Sequence, residues 1–280
     1  IDVSLVLLAS DGKRVARVND GGEQGIESLR WVTDADSVCW LVVGPRSKEA
    51  NAGRYEVRIT DLHLATTEDR ELVNTYQEAE RLMEERKYAQ AIPLAERMVA
   101  LQEKRLGVEH VEVAIALGQL SALYMALAAF PKAEPLLARG LAIMEKSLGP
   151  DHLETLEFVS AMATVASNTK DFARAESLLT RILVSKEKTF GPDDPHLIAS
   201  LLELSFFYRY SKTDLVKYES LLRRTLAICD KRLPPDHDKL VETLLFLSDL
   251  YLTRADYDQA EPITRRAISI LEKKNGPDHI

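Results

Sequence analysis

The pattern of apolar and polar residues changes once along the chain, near residue 65. Before that point, short apolar runs and alternating runs predict four β-strands. These segments span residues 2–10, 13–19, 37–44 and 54–62. Asp11 and Gly12, between the first two segments, form a typical hairpin turn signal. We therefore predict that residues 1–64 form part of an antiparallel β-sandwich.

After residue 65 the pattern is helical and repeats with a period of 42 or 43 residues. One landmark of the repeat is a glycine, replaced once by proline, at Gly107, Gly149, Gly191, Pro234 and Gly276. A second landmark with the same intervals is an aromatic residue or leucine, at Tyr88, Phe130, Phe172, Leu215 and Tyr257. A fixed period of this length indicates a solenoid of stacked helix pairs. We predict about five 42-residue units in residues 65–280 and the start of a sixth.

Each predicted unit consists of a helix A, a short turn and a helix B. A small residue near the start of helix B, as in Ala133, Ala175 and Ala260, lets the two helices approach closely. The landmark glycine is expected to end helix B in the left-handed conformation, and Asp or His then caps the next helix A. The fourth unit has one extra residue between Tyr208 and Leu215. We expect it in the turn between the helices, because loops tolerate insertions.

The composition restricts the function classes that remain. The chain is 46% hydrophobic, which is enough to fold, yet no apolar run approaches the roughly 18 residues that cross a membrane. The net charge of −8 argues against a nucleic-acid-binding surface, so nucleic acid would be reached only through a protein partner. Cys39 and Cys229 are the two cysteines and do not form a disulfide framework pattern. We therefore predict a reducing, cytoplasmic location.

A specific family resemblance is carried by residues 142–152, which read Ala-Ile-Met-Glu-Lys-Ser-Leu-Gly-Pro-Asp-His. Together with the Ala-Glu pairs that begin helix B, this segment resembles the tetratricopeptide repeats (TPRs) of kinesin light chains. The resemblance covers about three quarters of the chain. It implies a mostly α-helical fold, a right-handed TPR α-solenoid, that binds a protein or peptide partner. The small β-sandwich piece would precede that solenoid.

One feature of kinesin-light-chain repeats does not carry over. Those repeats place asparagine on the inner helix, just before the Leu of Leu-Ala-x-Leu-Tyr, where it holds the backbone of a bound peptide. The corresponding residues here are Gly118, Gln119, Ser160, Ala161, Leu202, Glu203, Leu245 and Phe246. The resemblance therefore does not imply the kinesin mode of peptide binding.

A second resemblance concerns the region before the repeats. Residues 53–59 read Gly-Arg-Tyr-Glu-Val-Arg-Ile, and residues 65–70 read Ala-Thr-Thr-Glu-Asp-Arg. They resemble the last strand and linker of bacterial TPR–CHAT proteins, in which a pre-peptidase-like β-sandwich precedes the repeats and a caspase-like CHAT domain follows them. Ile1 opens within a strand segment, and residues 276–280 begin a further unit. We expect a piece of a longer protein, with a catalytic His and Cys beyond residue 280.

The histidines are the first candidates for chemistry. His110, His152, His237 and His279 occupy equivalent turns, and Asp194 stands at that place in the fourth unit. Stacked units advance by about 10 Å, whereas the ligands of one zinc ion all lie about 2 Å from it. These histidines cannot converge on one metal. We predict that they cap helices and that the chain holds no metal.

The cysteines, the glycine-rich segment and the Ser, His and Asp residues do not indicate a reactive site either. Cys39 is expected to be a buried small hydrophobe, and Cys229, on helix B, a tolerated thiol rather than a nucleophile. Residues 19–25 are glycine-rich but lack the Lys-Ser/Thr ending of a phosphate-binding loop, so we expect a hairpin loop there. No grouping of Ser, His and Asp can be proposed from spacing. We predict neither a catalytic site nor a cofactor.

The inner face of the repeats gives the one candidate site. Helical spacing places eight residues of the fourth and fifth units on the concave side: Leu202, Phe206, Arg209, Tyr210, Leu245, Phe246, Asp249 and Leu252. Earlier units carry small or polar residues such as Gly118 and Thr164 there, so the groove becomes more apolar toward the C-terminus. It could bind a partner helix or peptide, with an arginine at its rim. Alternatively, the superhelix itself or a downstream domain covers these side chains.

The sequence thus predicts a non-catalytic protein-interaction scaffold. In the first hypothesis the scaffold is the regulatory or sensing part of a larger TPR–CHAT protease, with an attached or associated protease domain. In the alternative it is a free-standing adaptor that binds peptides or helices in the concave groove. Enzymatic activity is a third hypothesis that no constellation of residues supports. On the sequence alone, Phe206→Ala with charge reversal at Arg209 is expected to abolish partner binding without unfolding the chain.

Overall fold

The computed structural model describes residues 3–9, 14–18, 39–45 and 67–275. It divides into two compact units, residues 1–147 and residues 148–280.

The first unit begins with a small antiparallel sheet. Its strands are β1 (Val3–Ala9), β2 (Arg14–Val18) and β3 (Cys39–Pro45), in the spatial order β2–β1–β3. Leu5 of β1 pairs with Val18 on one side and with Val43 on the other. The strands coincide with three of the predicted segments, although β3 extends one residue beyond its segment, and the fourth segment, residues 54–62, lies outside the described residues. A β-sandwich is not shown.

The helices of the first unit form two pairs. They are α1 (Thr67–Glu84), α2 (Tyr88–Leu106), α3 (Val111–Ala126) and α4 (Phe130–Leu148). Each helix B has a fully buried alanine three residues after its start, Ala91 in α2 and Ala133 in α4. The absence of a larger side chain allows close approach of the paired helices, as the repeat pattern predicts.

The second unit continues the same alternation. Its helices are α5 (Leu153–Asn168), α6 (Phe172–Phe190), α7 (Ile198–Phe207), α8 (Leu215–Arg232), α9 (Asp238–Thr253) and α10 (Tyr257–Asn275). A 3₁₀ turn, Pro195–Leu197, precedes α7, and a π-helical turn, Tyr208–Lys212, follows it. The inner helices A are therefore α5, α7 and α9.

The π-helical turn holds the extra residue of the fourth unit. In the other units an N–H of the A–B turn donates to a carbonyl five residues earlier, as from Ala129 to Tyr124 and from Asp256 to Tyr251. In the fourth unit the donor is Asp214 and the acceptor is Tyr208, six residues earlier. The extra residue lies between α7 and α8, as predicted, but in a π-helical turn that continues α7 rather than in a longer loop. The last turn of the helix widens by one residue, while the turn itself keeps its length.

The landmark glycines have a conformation different from the predicted one. The backbone φ of Gly107, Gly149 and Gly191 is +86°, +95° and +94°, but ψ is 157° at Gly107 and 163° at Gly191. This is not the left-handed helical region, where ψ is about 47°. It is a region that is essentially reserved for glycine. Where Pro234 replaces glycine, α8 ends earlier, at Arg232, and Leu233 is extended with φ −105°.

Gly191→Ala is expected to lower the free energy of unfolding by about 1–3 kcal/mol, because alanine strongly disfavours this backbone conformation. No atom lies within 4 Å of the position that a Cβ would occupy, so the loss comes from the backbone alone. Urea unfolding followed by circular dichroism measures it. Gly118→Ala, inside α3, is the control and should raise stability by up to about 1 kcal/mol. Equal effects of the two substitutions would contradict the argument.

Candidate partner-binding surface

The inner helices α7 and α9 bring most of the predicted groove residues together. The rings of Phe206 and Phe246 meet edge to face, with centroids 4.8 Å apart and planes at 90°. An Arg209 guanidinium nitrogen donates to an Asp249 carboxylate oxygen at 2.6 Å. Two independent contacts thus join the helices across the repeat boundary. Such aromatic pairs contribute about 0.5–1.5 kcal/mol beyond the area they bury.

The predicted residues differ in exposure. Tyr210, Leu252 and Leu245 are 73%, 51% and 45% exposed, which is high for side chains of this kind. Leu202 is only 4% exposed, so its prediction as a partner-facing residue is wrong. The residues that remain accessible, at least in part, define the α7–α9 surface: Phe206, Arg209, Tyr210, Leu245, Phe246, Asp249 and Leu252.

Arg209 is held within this surface rather than at a free rim. Its guanidinium carbon lies 5.2 Å from the centroid of the Tyr218 ring and 5.5 Å from that of Tyr210. Partial burial works against the charged form, but Asp249 and Tyr218 together outweigh this effect and raise the pKa of Arg209. The side chain of Arg209 is 21% exposed, whereas that of Asp249 is 58% exposed. The arginine is therefore engaged, and the carboxylate is the charge that solvent reaches.

Tyr218 is a structural residue of the site that the sequence reasoning missed. It lies three residues after the start of α8, where the other units have the small alanine of helix B. Its side chain is completely buried, and its ring centroid lies 6.5 Å from that of Phe206. The sequence does contain a signal for it, because a tyrosine stands here where the repeat pattern has alanine. The bulky ring and the widened π-helical turn occur in the same unit.

Carboxylates lie beside the apolar residues of the inner helices. Glu203 on α7 accepts a hydrogen bond from the Ser160 hydroxyl of α5 at 3.2 Å. Partial burial raises the pKa of the Glu203 carboxyl and lowers the pKa of the Lys186 ammonium on α6. Lys186 interacts electrostatically with Glu203 and with Glu157 of α5. This cluster therefore lies in a partly desolvated setting that works against its charged forms.

The predicted capping role of the inter-repeat histidines is confirmed for the described ones. The Nδ1 atoms of His110, His152 and His237 accept from backbone N–H groups two residues later, at 3.2, 3.3 and 3.1 Å. Asp194 takes the same role through a carboxylate oxygen at 2.9 Å from the N–H of His196. His279 lies outside the described residues. Within the described part of the chain, no group of three His, Cys, Asp or Glu could hold a metal ion.

The remaining candidates carry no reactive group in the described residues. Cys229 is fully buried, and burial raises the pKa of its thiol, which keeps it protonated. A buried, protonated thiol agrees with the prediction that Cys229 is a tolerated thiol rather than a nucleophile. Cys39 lies in β3, and its side chain, like residues 19–25, is outside the described part. The described helices include none that is long and apolar enough to span a bilayer.

Comparison with known proteins identifies the class of the helical region. Residues 112–183 and residues 240–280 match models of the tetratricopeptide repeat. The chain therefore carries TPRs, as the repeat pattern and the helix pairs indicated. This repeat fold typically serves as a non-enzymatic scaffold for protein interactions. No curated protein sequence matches the chain.

Solved structures with the same fold include kinesin-light-chain-like TPR proteins. One is a kinesin light chain with nearly identical TPR-like repeats from Podospora anserina, which is 24% identical to this chain. That match covers 73% of this chain and 96% of the other, with a TM-score of 0.63. BtubC (BKLC) from P. vanneervenii is 18% identical over 76% of this chain and 94% of its own, with a TM-score of 0.52. The apo form of RapI is 16% identical over 75% and 56%, with a TM-score of 0.62. These likenesses show the shared fold.

Proposed function

We propose that this protein is a non-catalytic scaffold that binds a protein partner through the α7–α9 surface. The observation that supports this most is the exposure of Leu245 and Leu252 on α9 and of Tyr210 in the π-helical turn that follows α7. Grouped apolar side chains that face solvent mark interaction sites, whereas scattered ones need no explanation. The half-buried rings of Phe206 and Phe246 lie between the exposed residues and pack edge to face against each other. A partner side chain can pack there without rearranging the helices.

The proposed domain organisation has a β-sandwich piece in residues 1–64 and about five 42-residue TPR units, with the start of a sixth, in residues 65–280. The proposed context is the sensing part of a larger TPR–CHAT protease in the cytoplasm of a bacterium. In that context a partner reshapes the solenoid and releases the caspase-like domain. The antiparallel sheet that precedes the helices supports a β-structured region there. The protease context rests on the resemblance of residues 53–59 and 65–70. A downstream reading frame without a caspase-like His and Cys would favour the alternative, a free-standing adaptor.

Replacing Leu245 and Leu252 together by serine is expected to weaken partner binding at least tenfold, because each loses the burial of a leucine side chain worth about 1.5–3 kcal/mol. Both side chains are about half exposed, so the fold should lose little stability. The measurement uses peptides of about twelve residues selected from a random displayed library on the full chain. Fluorescence anisotropy then gives their affinities for the chain and for the variant.

The matched control replaces two other exposed apolar residues, Val184 and Val216, by serine. They are 55% and 75% exposed and lie on the outer helices α6 and α8. This control should bind the selected peptides as the unmodified chain does. If no displayed peptide is enriched, or if the Leu245/Leu252 variant binds unchanged, the surface is not the binding site.

A further inference from the structure

We propose that the segment bound at the α7–α9 surface is basic and amphipathic, with apolar side chains that pack on the exposed leucines and tyrosine and with lysine or arginine beside them. This inference rests on the proposed function and specifies the chemistry of the partner. It follows from the placement of carboxylates around the apolar residues.

The carboxylates alternate with the apolar residues along α7 and α9. Glu203 precedes Phe206 by three residues, and Glu242 precedes Leu245 by three. Asp249 lies four residues after Leu245 and three before Leu252. Residues three or four apart are neighbours on a helix surface, with Cβ atoms about 5–6 Å apart. Phe206, Leu245 and Leu252 therefore each have a carboxylate one helical turn away.

The cations of the same face are already engaged. Arg209 is bound to Asp249 at 2.6 Å and is mostly covered. Lys239 pairs with Glu242 at 2.7 Å, near the start of α9. Lys186, from the outer helix α6, interacts with Glu157 and Glu203 together. Arg209 and Lys239 thus offset Asp249 and Glu242, whereas the single Lys186 faces both Glu157 and Glu203, so these residues together leave one net negative charge.

Lys186 does not fully neutralise the carboxylates of Glu157 and Glu203. Burial raises the pKa of the carboxyl groups of both Glu157 and Glu203, although Lys186 acts in the opposite direction on each. A carboxylate that is partly desolvated gains from an added cation, and more so when a bound segment excludes water. An acidic segment would instead place like charges against the exposed Asp249, which disfavours that class of partner.

The test compares matched versions of one peptide. A peptide selected on the full chain is made in three forms, in which the positions between its apolar residues are all lysine, all glutamine or all glutamate. By fluorescence anisotropy we expect the lysine form to bind at least tenfold more tightly than the glutamate form at about 50 mM salt, and the difference to shrink severalfold at about 500 mM. Glu203→Gln with Glu242→Gln should remove most of the preference. Glu261→Gln with Glu272→Gln, two exposed carboxylates of the outer helix α10, should keep it.

The outcomes separate the two proposals. If all three forms bind equally, or the glutamate form binds best, and the Leu245/Leu252 serine variant still abolishes binding, the surface is the binding site but its partner is not basic. If the preference for lysine survives the Glu203/Glu242 variant, the charge recognition lies elsewhere and the inference is wrong. If none of the three forms binds in a way that depends on Leu245 and Leu252, the proposed function itself is wrong.

Discussion

Tyr218→Ala is expected to lower the free energy of unfolding by about 3–5 kcal/mol, even though alanine is the residue at this position in the other units. The ring of Tyr218 is completely buried and packs against Phe206 and the guanidinium of Arg209. Its removal leaves a cavity that the widened helix end cannot close. Urea unfolding followed by circular dichroism gives the change in free energy.

The control for volume is Tyr218→Phe, which keeps the ring and loses only the hydroxyl, so it should cost about 1 kcal/mol.

Deleting Ser211, inside the π-helical turn, restores the 42-residue spacing of the other units. The deletion should be clearly destabilising alone but much less so together with Tyr218→Ala. We expect a coupling of at least about 1 kcal/mol between the two changes. Strict additivity would show that the ring and the turn are independent features.

The double variant Phe206→Ala with Arg209→Glu is expected to destabilise the second unit by roughly 3 kcal/mol rather than to remove partner binding alone. Phe206 loses its edge-to-face contact with Phe246 and its packing on Tyr218. Glu at position 209 would face Asp249, where the native pair is 2.6 Å apart. Like charges at that distance repel, although solvent screens part of the effect because Asp249 is 58% exposed.

Charge reversal of both partners provides the control. Arg209→Glu with Asp249→Lys restores an opposite-charge pair and should recover about half of the stability that Arg209→Glu alone loses. The rest is not recovered, because lysine cannot reproduce the planar contact of arginine with the two tyrosine rings. A double variant Phe206→Ala/Arg209→Glu that unfolds at the same urea concentration as the unmodified chain would support the expectation drawn from the sequence instead.

Much of the helical architecture was predictable because it is a local property repeated at a fixed interval. The spacing of Gly107, Gly149 and Gly191 locates three ends of helix B, and the residues that follow them predict the next N-caps. The Nδ1 acceptors at His110 and His152 and the carboxylate acceptor at Asp194 confirm this. Capping depends on hydrogen bonds within a few residues, so the sequence contains nearly all the information that determines it.

Two local details escaped prediction because the sequence admits more than one solution. A glycine after a helix permits any positive φ, and the direction in which the next helix must leave selects a ψ near 160° rather than the left-handed cap. An extra residue between Tyr208 and Leu215 fits a longer turn as well as a wider helix end. The structure places it in the helix end, beside the buried ring of Tyr218.

By itself, the sequence determined the repeat period, the helix pairs and the set of residues that share an inner face, because these follow from local propensity and helical spacing. Tertiary structure decided which members of that set a partner can touch. Leu202 and Leu245 occupy the same position in successive units, yet one is 4% exposed and the other 45%. Exposure is set by the side chains that neighbouring helices place around a residue, and in the fourth and fifth units those side chains differ.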